Sequence, residues 1–216
     1  MIKATFTLTT ATAQQLGGST ETPLLVLGTL AGMGLGTQMS GLDSQLGGVI
    51  SGAIAKKSFQ GNLGANFTLR LNQEGAPAHV LVVGLGSPDK FNRKAIIRLV
   101  RIAVARAVQL GSPKVTFPIL PNRQTQATRN LRGQAYLLRK AVEDKLAEIG
   151  GDEDRELEIE LLCSPQAKPH LVVGLTCKRM DDEGDCCADG PDVDVQIKCL
   201  PTPTKARTAR SSSKGT

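Results

Sequence analysis

The hydrophobic positions of this chain follow two periods, and both are clearest in the first 160 or so residues. Nearly continuous apolar runs predict strands that are buried on both faces; they lie at residues 24–28, 79–86 and 114–120. Alternating apolar and polar side chains predict strands with one exposed face; they lie at residues 4–9, 66–71 and 156–161. Among these, we expect 4–9 to be an edge or half-buried strand and 156–161 an edge strand facing solvent.

Three segments with apolar residues at three- and four-residue intervals predict amphipathic helices. The first begins at Leu42 and ends near Lys57, the second runs from a cap at Asn92 to about Leu110, and the third covers about 125–149. Strands and helices therefore alternate along the chain. This order predicts an α/β fold with a mixed sheet and helices on both faces.

A glycine-rich string, Gly32-Met33-Gly34-Leu35-Gly36, follows the strand at 24–28 and is a pattern that can bind phosphate. A dinucleotide-binding loop opens its helix directly, whereas residues 37–41 separate this string from the helix predicted at Leu42. The string is therefore interpreted as a flexible loop. The turn Gly84-Leu85-Gly86 lacks the third glycine of such a loop and is interpreted as part of the core.

Several short motifs resemble the N-terminal domain of the leucyl (cytosol) aminopeptidase family. They are Leu42-Asp43 with Leu46-Gly47-Gly48, then Phe59-Gln60-Gly61, the strand 80–86, and Gly133-Gln134-Ala135-Tyr136 in the third helix. The resemblance covers about residues 4–163. It implies a macro-domain-like, three-layer αβα sandwich with a mixed central sheet, which in the full enzymes precedes the catalytic domain and helps to assemble hexamers.

The resemblance does not extend to the catalytic half of that family. The metal-binding stretches that resemble F-D-S-G-G and N-T-D-A-E-G-R do not occur in the sequence. A two-metal site needs several converging carboxylates, and the acidic run 181–185 lacks that setting. We therefore expect no catalytic residue, no cofactor and no enzymatic activity.

The segment 46–54 also resembles the part of macro domains that opens a helix near the diphosphate of ADP-ribose. Gly47, Gly48 and Gly52 are therefore weak candidates for nucleotide binding. The second phosphate loop of macro domains would follow Phe117-Pro118, but the chain continues Ile119-Leu120-Pro121 without a glycine. An ADP-ribose-type binder stays an alternative.

We divide the chain into the domain 1–164, a Cys/acid-rich extension 165–200 with one or two short strands, and a disordered basic tail 201–216. His170 and His79 precede similar apolar runs, so both are expected at strand entrances. All five cysteines lie after residue 162, and their odd number argues against a disulfide framework. Four of them are weak metal-ligand candidates: Cys177, Cys186, Cys187 and Cys199.

Charge is unevenly distributed. Residues 1–150 carry 17 Lys/Arg and 7 Asp/Glu, whereas 181–195 carry seven acids and no base. Two helices present basic stripes that could bind a polyanion such as duplex nucleic acid; the candidates are Lys94, Arg98, Arg101, Arg129 and Arg132. One Tyr and no Trp leave little for base stacking. The acidic segment could equally neutralise the basic face.

The leading hypothesis is a stand-alone, non-catalytic domain that acts in assembly or binding, through self-association or with a full-length aminopeptidase. The alternatives are a polyanion-binding module, an N-terminal portion of a metal-dependent leucyl aminopeptidase, and a nucleotide binder. No apolar run reaches the length of a membrane helix and no signal peptide pattern occurs at Met1, so a cytoplasmic location without membrane association is expected.

Overall fold

Seven strands form one sheet within the residues that the computed structural model describes, namely 2–10, 22–35, 37–118, 131–150, 155–179 and 197–200. The strands are β1 (Ile2–Thr9), β2 (Leu24–Thr29), β3 (Asn66–Arg70), β4 (His79–Gly84), β5 (Lys114–Phe117), β6 (Arg155–Leu162) and β7 (Ile197–Leu200). Their order is β3-β4-β2-β5-β6-β1-β7. Only the β3–β4 pair among them is antiparallel, so the sheet is mixed, as the sequence predicts.

Helices cover both faces of this sheet, and this confirms the predicted three-layer αβα sandwich. The described helices are α1 (Thr37–Gln45), α2 (Val49–Lys56), α3 (Arg93–Leu110), α4 (Leu131–Ile149) and α5 (Lys168–Thr176). Leu24 and Val26 of β2 belong to the core beneath α3 and α4. The intervening Leu25 and Leu27 pack under α1 and α2 on the other face.

The expectation that residues 4–9 and 156–161 form edge strands is wrong. Strand β6 pairs with both β5 and β1, and β1 pairs with both β6 and β7. Burial of Glu160 on β6 is made favourable by its hydrogen bonds: its two carboxylate oxygens accept from Thr9 on β1 and Thr116 on β5, each at 2.7 Å. The Nζ atom of Lys114 lies 3.1 Å from the same carboxylate.

The helix predicted over 42–57 is in fact two helices, α1 and α2, joined at Gly47 and Gly48. Both glycines have positive φ, +70° and +77°, which ends α1 and turns the chain into α2. Helix α1 begins at Thr37, five residues before the predicted start. Residues 37–41, which were expected to separate the glycine string from its helix, are therefore themselves helical.

The run after His170 is a helix and not the expected strand. Helix α5 packs against α4, and its Gly174 approaches so closely that a Cβ atom there would lie 2.7 Å from the Cβ of Ala135. The buried guanidinium of Arg139 donates a hydrogen bond to the carbonyl of Cys177 at 2.7 Å, just after α5 ends. An apolar run that covers another helix resembles a buried strand in sequence.

Among the described residues, no helix combines the length and the hydropathy that crossing a bilayer requires.

Candidate functional site

A cavity of about 530 Å³ lies where β2 ends, at the carboxyl edge of the parallel strands. Three segments enclose it: the end of β2 with the glycine loop after it, one side of α2, and the loop that follows α2. The lining residues are Thr29, Leu30, Ala31, Gly32, Met33, Gly34, Leu35, Ser51, Ile54, Ala55, Phe59, Gln60, Gly61 and Asn62. Ligand sites of open α/β sheets commonly lie at this edge. We refer to it as the sheet-edge cavity.

Aromatic packing holds one wall of the sheet-edge cavity in place. The ring of Phe59 meets the ring of Phe67 on β3 edge-on, with centroids 5.0 Å apart and an interplanar angle of 78°. The ammonium group of Lys57 lies 5.6 Å from the Phe67 centroid, on the cation-binding face of that ring. These contacts fix the chain as it leaves α2 and enters the loop 59–62.

Glycines allow the loop 59–62 to lie directly on the turn after β4. Gly86 donates its backbone N–H to the carbonyl of Gly61 at 2.9 Å, and Ala31 donates to Gly86 at 2.8 Å. A Cβ atom on Gly61 would lie 3.0 Å from the carbonyl oxygen of Leu30. The two sequence motifs at 59–61 and 84–86 are therefore adjacent in space, and the first of them lines the cavity, so the turn after β4 supports this part of the cavity floor.

The sheet-edge cavity offers apolar surface, hydroxyl groups and amides. Its described lining contains none of the side chains that ionise near neutral pH, since Thr29, Ser51, Gln60 and Asn62 supply the polar groups. Such a lining can recognise the shape and hydrogen-bonding groups of a partner.

The nucleotide candidates Gly47, Gly48 and Gly52 do not line this cavity. The free N–H groups at the start of α2 are instead used by the buried carboxylate of Asp43. It accepts hydrogen bonds from Ile50 at 2.7 Å and from Ser51 at 3.2 Å. A diphosphate at this helix terminus would need the same N–H donors. The carboxylate of Asp43 therefore occupies the position that the macro-domain resemblance implies for the diphosphate.

Replacement of Asp43 with alanine should lower the free energy of unfolding by about 1–2 kcal/mol, because two amide groups at a buried helix terminus lose their acceptor. Chemical denaturation followed by circular dichroism measures this loss. The Asp43→Asn variant keeps one acceptor oxygen and should lose much less. Equal losses in the two variants would contradict the capping role of Asp43.

A second concave surface lies between α3 and the C-terminal part of α4, with a volume of about 420 Å³. We call it the α3/α4 groove. Its lining is formed by four basic and three apolar residues: Lys94, Ile97, Arg98, Arg101, Ile102, Ala105 and Lys145. Three of the five polyanion candidates, Lys94, Arg98 and Arg101, thus share one surface.

Glu148 is the acidic member of this surface. It is paired with Arg101, and its carboxylate accepts a hydrogen bond from Lys145 at 2.6 Å. The Lys145 ammonium, followed by the Arg101 guanidinium, lowers the pKa of the Glu148 carboxyl below its ordinary value. The carboxylate is therefore ionised throughout the neutral range and holds two of the groove cations in position.

Of the other two polyanion candidates, Arg132 does not line this groove. Arg132 lies on α4, 13 residues before Lys145, which corresponds to about 20 Å along the helix axis. Arg129 lies outside the described residues. Arg132 is therefore separated from the three basic residues of α3 in the groove. The fourth basic residue that lines the groove is Lys145.

The cysteine candidates do not assemble a metal site in the part of the chain that can be described. Cys177 is buried and disulfide-bonded, which differs from the expectation for this chain, and its sulfur is then unavailable as a thiolate ligand. Cys186 and Cys187 lie outside the described residues, as does the side chain of Cys199. Within the described ranges, no three His, Cys, Asp or Glu side chains are grouped to hold a metal ion.

The sequence does not predict the sheet-edge cavity or the contribution of Lys145 to the α3/α4 groove. In the sequence, residues 59–61 stand out only as a family motif. One sequence signal for the cavity was available. Two glycine-containing segments, 32–36 and 84–86, each follow a predicted buried strand. No sequence signal identifies Lys145, because the mutual orientation of two helices is not encoded in their separate periodicities.

A sequence profile described as the cytosol aminopeptidase family, N-terminal domain, matches residues 26–136, just over half of the chain. A probable cytosol aminopeptidase of Picosynechococcus sp. is 36% identical over 90 residues, which is 41% of this chain and 18% of that protein. The chain thus spans less than one fifth of this curated relative.

Two solved structures share the fold at low sequence identity. A mutant of tomato leucine aminopeptidase aligns with a TM-score of 0.60 and 17% identity, over 80% of this chain and 35% of that one. A mutant Oceanobacillus iheyensis macrodomain aligns with a TM-score of 0.55 and 11% identity, over 78% of this chain and 89% of that one. The fold is therefore both leucine-aminopeptidase-like and macrodomain-like.

Proposed function

Because the chain belongs to the cytosol aminopeptidase family through its N-terminal domain, we propose that it is a binding domain for protein assembly and is not itself a catalyst. Its partner is a full-length cytosol aminopeptidase or a second copy of the chain. It acts in the cytoplasm, as the names of its relatives suggest, and needs no cofactor.

The observation that carries this proposal is the uncharged lining of the sheet-edge cavity together with its exposed apolar rim. Met33 lines the cavity and is 47% exposed, and Leu63, the residue after the last lining residue, is 46% exposed. Large apolar side chains around a concave, uncharged surface are typical of protein-binding sites. A partner side chain that enters the cavity would remove this apolar surface from water.

The lining also favours binding over catalysis. Acid–base or nucleophilic chemistry requires an ionisable or activated group within hydrogen-bonding distance of the reacting atom. The described cavity residues supply two hydroxyls and two amides as their polar side chains, and none has a described partner base. This composition is suited to recognition through shape and hydrogen bonds.

Replacement of Met33 with glutamate should weaken association with the partner about tenfold or more, because one central apolar side chain can contribute roughly 2 kcal/mol to binding. The measurement is retention of a purified cytosol aminopeptidase by the immobilised chain, combined with light scattering of the chain alone. Val49→Glu is the matched control, since Val49 is 44% exposed but does not line the cavity.

Three outcomes would contradict the proposal. The wild-type chain could be strictly monomeric and retain no aminopeptidase. Val49→Glu could weaken association as strongly as Met33→Glu. The Met33→Glu variant could also bind normally while its thermal unfolding is unchanged.

The comparisons favour a second candidate, in which the chain supplies the N-terminal part of a metal-dependent leucyl aminopeptidase. It is supported by the fact that the chain aligns with only part of the length of the aminopeptidases that it matches. Detection of this sequence at the N-terminal end of a longer aminopeptidase polypeptide, by mass spectrometry of the native protein, would support this candidate over the first.

A further inference from the structure

One face of α3 combines cations with branched apolar side chains in a row. The helix, RKAIIRLVRIAVARAVQL, contains five Lys or Arg residues and no Asp or Glu. Residues 94, 98, 101 and 105 recur at intervals of four, three and four, so they lie along one side of the helix. This side extends for about 16 Å, or three helical turns.

Apolar residues form the floor of the α3/α4 groove. Ile97 and Ile102 are only partly buried, although each packs against the main core with its inner side. Ala105 continues the floor towards the end of the helix and leaves it shallow. A purely solvated basic face would not need two isoleucines at its centre.

Two of the four groove cations have no ion-pair partner among the described residues. Glu148 pairs with Arg101 and Lys145, whereas no carboxylate of the described chain pairs with Lys94 or Arg98. The guanidinium of Arg98 lies against the backbone of Gly64, where an added Cβ would come within 2.8 Å of Arg98 Cζ. Arg98 is therefore positioned before any partner arrives.

We propose that the α3/α4 groove binds an acidic amphipathic helix of a partner protein. The apolar side of that helix covers Ile97, Ile102 and Ala105, and its carboxylates pair with Lys94 and Arg98. Helices commonly bind in this way, through apolar anchors spaced over three or four turns. A groove of this length takes a helix of about 11 residues or more.

The apolar floor distinguishes this partner from a nucleic acid. Duplex nucleic acid is bound mainly through its phosphates, and a phosphate backbone would leave the partly buried isoleucine side chains without an apolar partner. Two unpaired cations beside a shallow apolar strip match a helix with acidic flanks and an apolar stripe. The site is distinct from the sheet-edge cavity, so it goes beyond the proposed assembly function.

The test uses the full chain and a fluorescent 16-residue peptide with leucines at helical spacing and glutamates elsewhere, followed by anisotropy at physiological salt. Lys94→Glu and Arg98→Glu should each weaken binding about three- to tenfold, because each reverses a charge at the rim. Ile102→Ser should weaken it about tenfold or more through the lost apolar contact. Glu148→Gln should strengthen it about threefold, since it removes the competing carboxylate.

Controls separate a specific groove from general basicity. Lys56→Glu, on α2, carries the same charge change away from the groove and should bind like the wild type. A peptide with lysines in place of glutamates should not bind. The inference is overturned if the acidic peptide does not bind, if Ile102→Ser leaves its affinity unchanged in a normally folded chain, or if a 20-base-pair duplex binds and competes through the same residues.

Discussion

Replacing Gly84 with alanine should lower the free energy of unfolding by about 3 kcal/mol or more, a large loss for the addition of one methyl group. The new Cβ would lie 2.6 Å from the carbonyl carbon of Gly61 and closer still to the carbonyl oxygen of Asn62. Both obstacles are backbone atoms, and they cannot rotate away as a side chain can. Differential scanning calorimetry should record a Tm lower by about 6–12 °C.

The matched control for Gly84→Ala is Gly52→Ala. Gly52 lies inside α2, and a Cβ atom there would meet nothing within 4 Å. Alanine has the higher helix propensity, so this variant should gain about 0.5–1 kcal/mol. A Gly84→Ala variant as stable as the wild type would show that the loop 59–62 does not need its close approach to β4, and the account of the cavity floor would fail.

Replacing Glu160 with leucine should lower the free energy of unfolding by about 3–5 kcal/mol, because two buried hydroxyls lose their acceptor and Lys114 keeps only the more distant carboxylate of Glu158, 3.9 Å away. The residues that lose a partner are Thr9, Thr116 and Lys114. The Lys114 side chain is only 17% exposed, so water replaces the lost carboxylate poorly. Urea denaturation at neutral pH measures the change.

A double variant tests whether the loss comes from the cation that has lost its nearer carboxylate. Adding Lys114→Met to Glu160→Leu removes the charge that was left behind and should recover much of the stability. Glu156→Gln, at an exposed position of the same strand, should stay within about 0.5 kcal/mol of the wild type. If the double variant is less stable than either single variant, the ion pair is not the source of the effect.

Most elements of the fold follow from local periodicity. The buried strand at 79–84 and the helix capped by Asn92 are confirmed, and the Asn92 side chain accepts the N–H of Lys94 at 2.9 Å. The resemblance to the aminopeptidase N-terminal domain and the αβα architecture are confirmed as well. These predictions succeed because each depends on residues that are close in sequence.

The failures concern relations between distant segments. Alternating Glu and apolar residues in β6 predict an exposed edge, but Thr9 and Thr116 come from other strands and make burial of Glu160 favourable. The run after His170 has the composition of a buried strand, yet it covers α4 as a helix. The sequence does not predict the cavity or the groove for the same reason. Three segments form the cavity and two helices form the groove, and these segments meet only in the folded chain.

Strand β1 also has a consequence for the order of folding. It is the first of the described strands, yet it pairs in parallel with β6 over eight residues, from Ile2 with Arg155 to Thr9 with Leu162. At synthesis rates of about 5–20 residues per second, roughly 8–30 s pass before β6 follows β1 out of the ribosome. Contacts of such long range make folding slow. The first strand must therefore wait, unpaired with β6, until most of the domain has been synthesised.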